Sequence, residues 1–449
     1  MKKYKLREAI IDLLLRIDRD SGYSHLLIDH EIKSRNLSQR DGALLTEIVY
    51  GTVQRKLTLD YYLNAFVDNK KKIQPWVQML LRMSVYQLEF LDRVPDHAVI
   101  NEAVEIGKER GHKGIASFVN GVLRSIQRKG VPDMAELESR SKRLSIKTSH
   151  PEWLVNRWIK MYGYENTTSM CVANLERKPL SVRIQPLKTT REAAMDELSG
   201  LGFELRPSQV SDQGIIINKG NILQTELFKG GYVTIQDQSS MLAVEMLKAE
   251  PGMEVLDACS APGGKATHIA EKMDNQGFIN AYDLHAKKVN LIKEKATMLH
   301  LSIIEANQGD ARNLDKLHAQ ESFDRILIDA PCSGLGVIRG KPDIKYNKTE
   351  KDIEQLAQIQ SAILDKVAPL LKKGGLLVYS TCTVDKREND DVVNAFLQSH
   401  DNYQIDPGFY EDIPIVLRDT EGCTETGLQI FPHTINSDGF FVTRFKNNE

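Results

Sequence analysis

Residues 325–346 read RILIDAPCSGLGVIRGKPDIKY, and the start of this stretch constrains the fold more than any other. Ile326, Leu327 and Ile328 make a short apolar run with no polar face, as a strand buried on both sides of a parallel sheet requires. The run stops at Asp329-Ala-Pro-Cys-Ser-Gly, where Pro331 and Gly334 break regular structure and leave a carboxylate and a thiol at the strand's end. Ligands of open α/β sheets sit beyond the carboxyl ends of the strands. Asp329 and Cys332 therefore fall where chemistry is expected, and Cys332 taken alone reads as a nucleophile.

From residue 237 onward strand-like and helix-like stretches alternate, the pattern of a doubly wound parallel sheet. Residues 253–258 read as a strand, Cys259-Ser260-Ala261-Pro262-Gly263-Gly264-Lys265 as a tight loop, and residues 266–272 as the opening of a helix. Glycines in such a loop let the backbone approach a ligand at a helix N-terminus. A dinucleotide fingerprint G-x-G-x-x-G is absent, and Ala266 stands where a Walker loop needs Ser or Thr after its lysine. The next strand, 277–282, ends in Asp283, about 20 residues past the glycines, where a carboxylate can accept both hydroxyls of a ribose. The apolar stretch 301–306 leads to Asp310, suited to the exocyclic amine of adenine. One strand-end Asp is commonly a turn former or a helix cap. Asp283, Asp310 and Asp329 in series, beside a glycine loop without a phosphate signature, fit S-adenosylmethionine better than ATP or NAD. A second thiol, Cys382, follows the strand-like residues 376–379, so two cysteines leave strand ends on one edge of the same sheet. A buried cysteine is usually inert packing, but two at such positions beside a cofactor loop are not readily explained that way.

At 449 residues the chain exceeds what one core accommodates, which predicts two or three domains. With 41% hydrophobic and 27% charged residues the composition is that of a globular protein, and no apolar run approaches the ~18–20 residues of a membrane span. The basic and then apolar N-terminus is interrupted by Glu8, Asp12 and Arg16 and lacks a small-residue cleavage site, so no signal peptide is expected. Five scattered cysteines without a CxxC pair predict a reduced, cytoplasmic protein with no structural zinc.

Residues 1–130 read as an all-α bundle. Leu6, Ile10, Leu13, Leu14 and Ile17 make one apolar stripe, and a helix starting near Pro75 carries Val77, Leu80, Leu81, Val85 and Leu88. Another, with Asp96 as its expected cap, turns Val99, Ala103 and Ile106 inward. This segment holds a basic excess, roughly 22 Lys and Arg against roughly 16 Asp and Glu, inside a chain of net charge -2. Residues 131–150 read as a linker, with Ser149 and Glu152 as the capping box of the helix that follows. Residues 151–236 then suggest a small α+β subdomain: strands at 181–185, 202–205, 215–218 and 232–236, and a helix capped by Thr189. Platforms of this kind often hold RNA. Residues 237–449 form the α/β domain.

The stretches LTEIVYGTVQRKLTLDYYL, VPDHAVINEAVEIGK and FVNGVLRSI resemble the helical RNA-binding domain of the NusB family. That resemblance makes Lys70, Lys71, Lys72 and Arg124 candidate RNA contacts. DACSAPGGK, DAPCSG and STCTVDKREND together resemble the RNA 5-methylcytosine methyltransferases, and the two resemblances cover essentially the whole chain. They imply a Rossmann-like, S-adenosylmethionine-dependent enzyme that methylates carbon 5 of a cytosine in 16S ribosomal RNA through a covalent cysteine adduct. They also imply a cytoplasmic monomer acting on naked or early-assembly small-subunit RNA. The family pattern moves the attacking thiol to Cys382 and gives Cys332 the release of product and Asp329 the grip on the base. Cys259, Ser260, Ala261, Pro262, Gly263, Gly264, Lys265, Asp283, Asp310 and Asp329 become the cofactor residues, and Arg339, Lys341 and Asp343 possible RNA-positioning groups. A transfer RNA methyltransferase and a non-catalytic RNA-binding scaffold are the competing readings.

Overall fold

The computed structural model describes residues 5–20, 24–68 and 73–448. It divides into two compact units, Met1–Leu175 with Ile338–Asn347, and Glu176–Val337 with Lys348–Glu449. Strands and the helices of two turns or more are numbered here in chain order.

The first unit is all-α. Its helices are α1 (Lys5–Asp20), α2 (Ser24–Ser34), α3 (Gln39–Gln54), α4 (Lys56–Asn64), α5 (Pro75–Phe90), α6 (Asp96–Arg110), α7 (Lys113–Lys129), α8 (Arg140–Thr148) and α9 (Glu152–Ala173). The expected stripes meet in one core, in which Ile10, Leu13, Leu45, Ile48, Leu80, Val85, Ile100 and Leu123 are fully or almost fully buried. Beside that core Arg82 forks onto both oxygens of Asp60 at 2.7 Å.

Three local expectations are corrected. Asp96 begins α6 rather than capping it, Pro95 holding the cap position, and the Asp96 carboxylate accepts from Gln127 instead. Residues 140–148 of the expected linker are helix α8, whose Leu144 is buried. Ser149 does not open α9. It ends α8 in the left-handed region (φ 57°), and its hydroxyl accepts the Leu57 amide at 2.7 Å. A side chain spent on a distant backbone cannot also cap its own helix.

Ile338–Asn347 belongs to this unit although the chain on both sides of it does not. Asp343 accepts a hydrogen bond from Ser24, and the Tyr346 hydroxyl donates to Ser149 O at 2.9 Å. Lys345 is fully buried and donates to Gln54 O at 2.8 Å. Burial pushes its ammonium down from the usual 10.5 to about 7. Between those values the unfolded chain binds more protons than the folded one, so the handicap of a buried charge is present below pH 7 and relieved as pH rises toward 10. In urea titrations the midpoint of the parent should therefore rise between pH 7 and 9 relative to that of a Lys345→Met variant. Equal pH responses of the two proteins would show that Lys345 does not titrate in this range.

The second unit holds two sheets. The smaller is antiparallel, made of β1 (Leu180–Ile184), β2 (Glu204–Pro207), β3 (Gly214–Lys219) and β4 (Val233–Ile235) in the order β2-β3-β1-β4. Val182, Ile184, Ile215, Ile217 and Val233 pack with Ala194 and Leu198 of α10 (Arg191–Gly200). The cap of α10 is Thr190, one residue beyond the expected Thr189.

The larger sheet carries parallel strands β5 (Glu254–Asp257), β6 (Phe278–Asp283), β7 (Ile304–Gln308), β8 (Phe323–Asp329) and β9 (Leu371–Thr381), ordered β7-β6-β5-β8-β9. It continues antiparallel through β10 (Tyr403–Ile405), β11 (Cys423–Thr424), β12 (Gly427–Ile430) and β13 (Phe440–Asn447), with β13 pairing β9. Its helices are α11 (Gln238–Leu247), α12 (Gly264–Lys272), α13 (Ala286–Met298), α14 (Glu350–Val367) and α15 (Asp390–Ser399). This is the doubly wound Rossmann-like architecture. Chain order reverses between β5 and β8, and the crevice at such a point is where ligands bind. No described helix is long and apolar enough to cross a membrane.

Candidate active site

The loop after β5 is shaped by its own backbone. The Ser260 amide donates to Tyr282 O and the Gly263 amide to Ser260 O, both at 2.7 Å. Gly263 takes φ 89°, and a Cβ there would stand 3.0 Å from the Cα of Ile292, so no other residue fits without strain. The chain then enters α12, whose first amides have no partner within the helix.

Acids from four strand ends converge on this loop. Burial raises the Cys259 thiol well above its usual range, and the carboxylates of Asp257, Asp329, Asp283 and Asp310 push it further. Asp329 is gripped on both oxygens, by Lys265 Nζ at 2.6 Å and by the Ser380 hydroxyl at 2.9 Å. Asp283, at the end of β6, accepts the His285 amide at 3.0 Å. Asp310 is engaged by Arg312, whose guanidinium lies 2.6 Å from Oδ2, and hydrogen bonding there holds its carboxyl below the usual range.

Asp257 was not singled out from the sequence. It is fully buried, neither oxygen meets a donor in good hydrogen-bond geometry, and burial pushes its carboxyl up to about 7 against the weaker pull of the nearby Ser260 hydroxyl and Cys259 amide. The Ser260 hydroxyl is also buried and lacks a partner in good geometry. The signal was available, since Asp257 ends its strand as Asp283 and Asp329 end theirs. Buried acceptors without donors call for a ligand that brings donors. An ammonium, a ribose diol and an adenine amine bring donors and a sulfonium brings positive charge, whereas phosphates would be repelled. The residues present therefore fit S-adenosylmethionine.

The two thiols meet at the ends of adjacent strands. Parallel β8 and β9 are in register with Asp329 opposite Ser380, and Cys332 Sγ lies 3.3 Å from Cys382 Sγ. Both side chains are half-buried. Hydrogen bonding to Cys382, and then burial, push the Cys332 thiol well above its usual range.

A buried polar network fastens the two loops. Glu388 accepts from the Ser333 amide at 2.8 Å, from the Ser333 hydroxyl and from Gln360 Nε2 at 3.0 Å. Ser333 and Thr383 hydroxyls are 2.8 Å apart, and the Gly336 amide donates to Cys382 O at 3.0 Å. Asn389 accepts from Thr381 at 2.6 Å and donates to Gln429 Oε1 at 2.8 Å. Gln360 and Gln429 carry no motif that would have marked them in the sequence, whereas Ser380 opens the STCTVDKREND stretch.

The chain is 48% identical over 442 residues to the probable ribosomal RNA small subunit methyltransferase B of Bacillus subtilis, covering 98% of both chains. It is 34% identical to the ribosomal RNA small subunit methyltransferase B of Pectobacterium atrosepticum, covering 99% of both. The chain belongs to the RsmB/F family of 16S rRNA methyltransferases. The family's methyltransferase model matches residues 244–446, its ferredoxin-like domain residues 150–223, and the NusB family residues 4–128. Among solved structures, that of PH0851 shares 25% identity with a TM-score of 0.81 over 99% of each chain. A methyltransferase homologue from Pyrococcus horikoshii, at 24% identity, matches 69% of this chain and 100% of its own with a TM-score of 0.61, and shares the fold.

The glycine loop, Asp283, Asp310, Asp329, Cys332 and Cys382 all lie at the carboxyl edge of one sheet, as expected. Arg339, Lys341 and Asp343 lie in the segment that belongs to the helical unit. Lys70, Lys71 and Lys72 lie outside the described residues, and Arg124 lies on α7, bonded to Gln127 at 3.0 Å. Gly263→Ala should destabilise the protein by about 1–2 kcal/mol, the cost of a left-handed L-residue. It should also weaken S-adenosylmethionine binding in equilibrium dialysis, and unchanged binding would show that the loop tolerates a shifted backbone.

Proposed function

We propose that this site methylates carbon 5 of a cytosine in 16S ribosomal RNA, with Cys382 as the attacking thiol and Cys332 as the group that frees the product. The observation that carries the assignment of roles is the pair itself. The two sulfurs lie 3.3 Å apart, and the hydrogen bond to Cys382 with burial raises the Cys332 thiol well above its usual range, which suits Cys332 to proton transfer rather than to attack. The sulfur left to act as a nucleophile is Cys382.

Carbon 5 of cytosine is too weak a nucleophile to take a methyl group directly. Addition of Cys382 Sγ to carbon 6 forms a C–S bond and turns carbon 5 into an enamine-like centre. Asp329, held by Lys265 and Ser380, stabilises a proton on the ring nitrogen as electron density moves onto the base. Bound S-adenosylmethionine supplies the methyl group as an electrophile on a sulfonium. Once carbon 5 carries the methyl group, its proton must leave and the C–S bond must break. Cys332, beside the adduct and in its thiolate form, is placed to take that proton and become the thiol, and Cys382 departs with the bonding pair. The Cys259–Lys265 loop with Asp283, Asp310 and Asp329 would hold the donor, Asp283 accepting the ribose hydroxyls and Asp310 the adenine amine. A base inside a duplex or stack cannot reach this crevice, so the target nucleotide must turn out of its stack to react.

The substrate belongs to the small ribosomal subunit, taken as naked or early-assembly RNA by a monomer. The reading carries a cytoplasmic setting with it, supported by five cysteines that are all free thiols.

In an assay with 16S rRNA and S-adenosylmethionine, Cys382→Ala should abolish both methylation and covalent RNA capture. Cys332→Ala should slow turnover by about 10²–10⁴-fold and accumulate a protein–RNA adduct that survives denaturing electrophoresis. A Cys382→Ala protein that still methylates would reverse the assignment. Bisulfite mapping of 16S rRNA from cells with and without the gene should show one protected cytosine that depends on it.

A further inference from the structure

The strand β1 alternates, and the alternation is misleading. Val182 and Ile184 pack into the core of the small sheet, as an amphipathic strand should. The opposite face, Ser181, Arg183 and Gln185, is polar and reads as a solvent-facing or RNA-facing surface. It is neither, because all three residues are buried and Arg183 has no exposure at all.

What covers Arg183 is α12, the helix that opens from the glycine loop. Arg183 Nε and Nη2 bind the two oxygens of Glu271 at 2.6 and 2.7 Å. Nη2 also lies 3.3 Å from the Thr267 hydroxyl, and Nη1 donates to Gln236 Oε1 and, at 2.9 Å, to the carbonyl oxygen of Gly264. Gln213, at the start of β3, adds a second hand, donating to Glu271 Oε2 at 3.2 Å and accepting from His268 at 3.2 Å. The small sheet thus grips three successive side chains along one face of α12 and one carbonyl of its first turn.

That carbonyl matters because of where it sits. Gly264 is the first residue of α12, and its peptide continues the loop that bends around Gly263. The Thr267 hydroxyl holds Gly263 O at 2.9 Å and Gly264 O at 3.2 Å, while Arg183 holds Gly264 O from the other side. A peptide plane pinned at its oxygen has its N–H direction settled as well. Two pinned carbonyls therefore aim the first amides of α12 outward, where the positive end of the helix meets a ligand carboxylate. A guanidinium suits this task because its planar fork reaches a carboxylate with one edge and a third acceptor with the remaining nitrogen, which a lysine cannot do.

We propose that Arg183 is a positioning residue for methyl-donor binding: anchored on Glu271, it fixes the Gly264 carbonyl and with it the amides that receive S-adenosylmethionine. The inference rests on the reading of the glycine loop as the S-adenosylmethionine site. It gives the small sheet a role in the donor site, separate from any contact with RNA.

Removing one partner of a buried pair leaves the other charge stranded, so single deletions would confuse folding with function. Two variants avoid this. In Arg183→Met with Glu271→Leu the pair is replaced by apolar groups of similar volume, and in Arg183→Lys the charge stays against Glu271 while the fork is lost. Measured on the full chain, both should keep a cooperative thermal transition and the affinity for 16S rRNA in filter binding. The double variant should bind S-adenosylmethionine at least ten-fold more weakly by equilibrium dialysis, with a matching rise in the KM for S-adenosylmethionine and little change in the KM for RNA. Arg183→Lys should show a smaller loss of the same kind. If either folded variant binds S-adenosylmethionine as tightly as the parent, the proposal is overturned. If affinity for RNA falls in step with that for S-adenosylmethionine, Arg183 supports the fold in general and the proposal is likewise overturned. A parent protein that does not bind S-adenosylmethionine would remove the underlying reading and this inference together.

Discussion

The site depends first on the register of β8 against β9. In a parallel pair each residue is committed to one neighbour, and here Asp329 faces Ser380, with Ala330 N donating to Ser380 O at 2.8 Å one step further on. From that point the two chains leave the sheet together, so that Cys332, three residues past Asp329, meets Cys382, two past Ser380. A slip of one residue would part the thiols and turn Ser380 away from Asp329. It would also strip Glu388 of the Ser333 amide and hydroxyl, leaving a buried carboxylate short of donors at a cost of about 1–3 kcal/mol per lost partner. The buried network therefore guards the register as much as it positions the sulfurs.

The same strand ends set the electrostatics. Asp257, Asp283, Asp310 and Asp329 all bear on Cys259, and Asp329 with Glu388 bears on Cys332. Negative charge around a thiol favours its protonated form. That is a handicap for a nucleophile, but it also makes the thiolate, once formed, a stronger proton acceptor. Lys265 on Asp329 and Arg312 on Asp310 offset part of this charge. The remaining deficit of donors lies at Asp257 and Ser260, inside the crevice, where a cationic ligand is drawn rather than an anionic one.

Much of this was legible in the chain before its fold was seen. The apolar run ending in Asp329, the glycine loop and the two thiols at strand ends are local signals, carried by residue types whose roles depend on little beyond their own strand. Helices α5 and α6 were likewise readable, because an apolar stripe of period 3.6 states both the element and its inward face. What escaped was settled by partners far away in sequence. Ser149 looked like a cap but is claimed by the Leu57 amide, and Arg339, Lys341 and Asp343 read as part of the stretch that begins at Arg325 but lie in a segment that groups with the helical unit. Arg183 escaped for a different reason. An alternating strand ordinarily has a wet face, and only the acid on α12, 88 residues away, turns that face into a buried one.

Arg183 and Glu388 solve the same problem at two places. Hydrophobic burial is non-directional, so it can hold α12 and the cysteine loops against the sheet without deciding which way a peptide or a thiol points. A fork of hydrogen bonds decides direction, and in a buried setting its geometry is enforced by the penalty for any group left unpaired. Glu388 holds the Ser333 loop beside the two thiols, and Arg183 holds the carbonyl of Gly264 where the glycine loop passes into α12. Each sits behind the reacting atoms. The groups that touch substrate are therefore free to carry charge and protons, while their placement is held by residues that do neither.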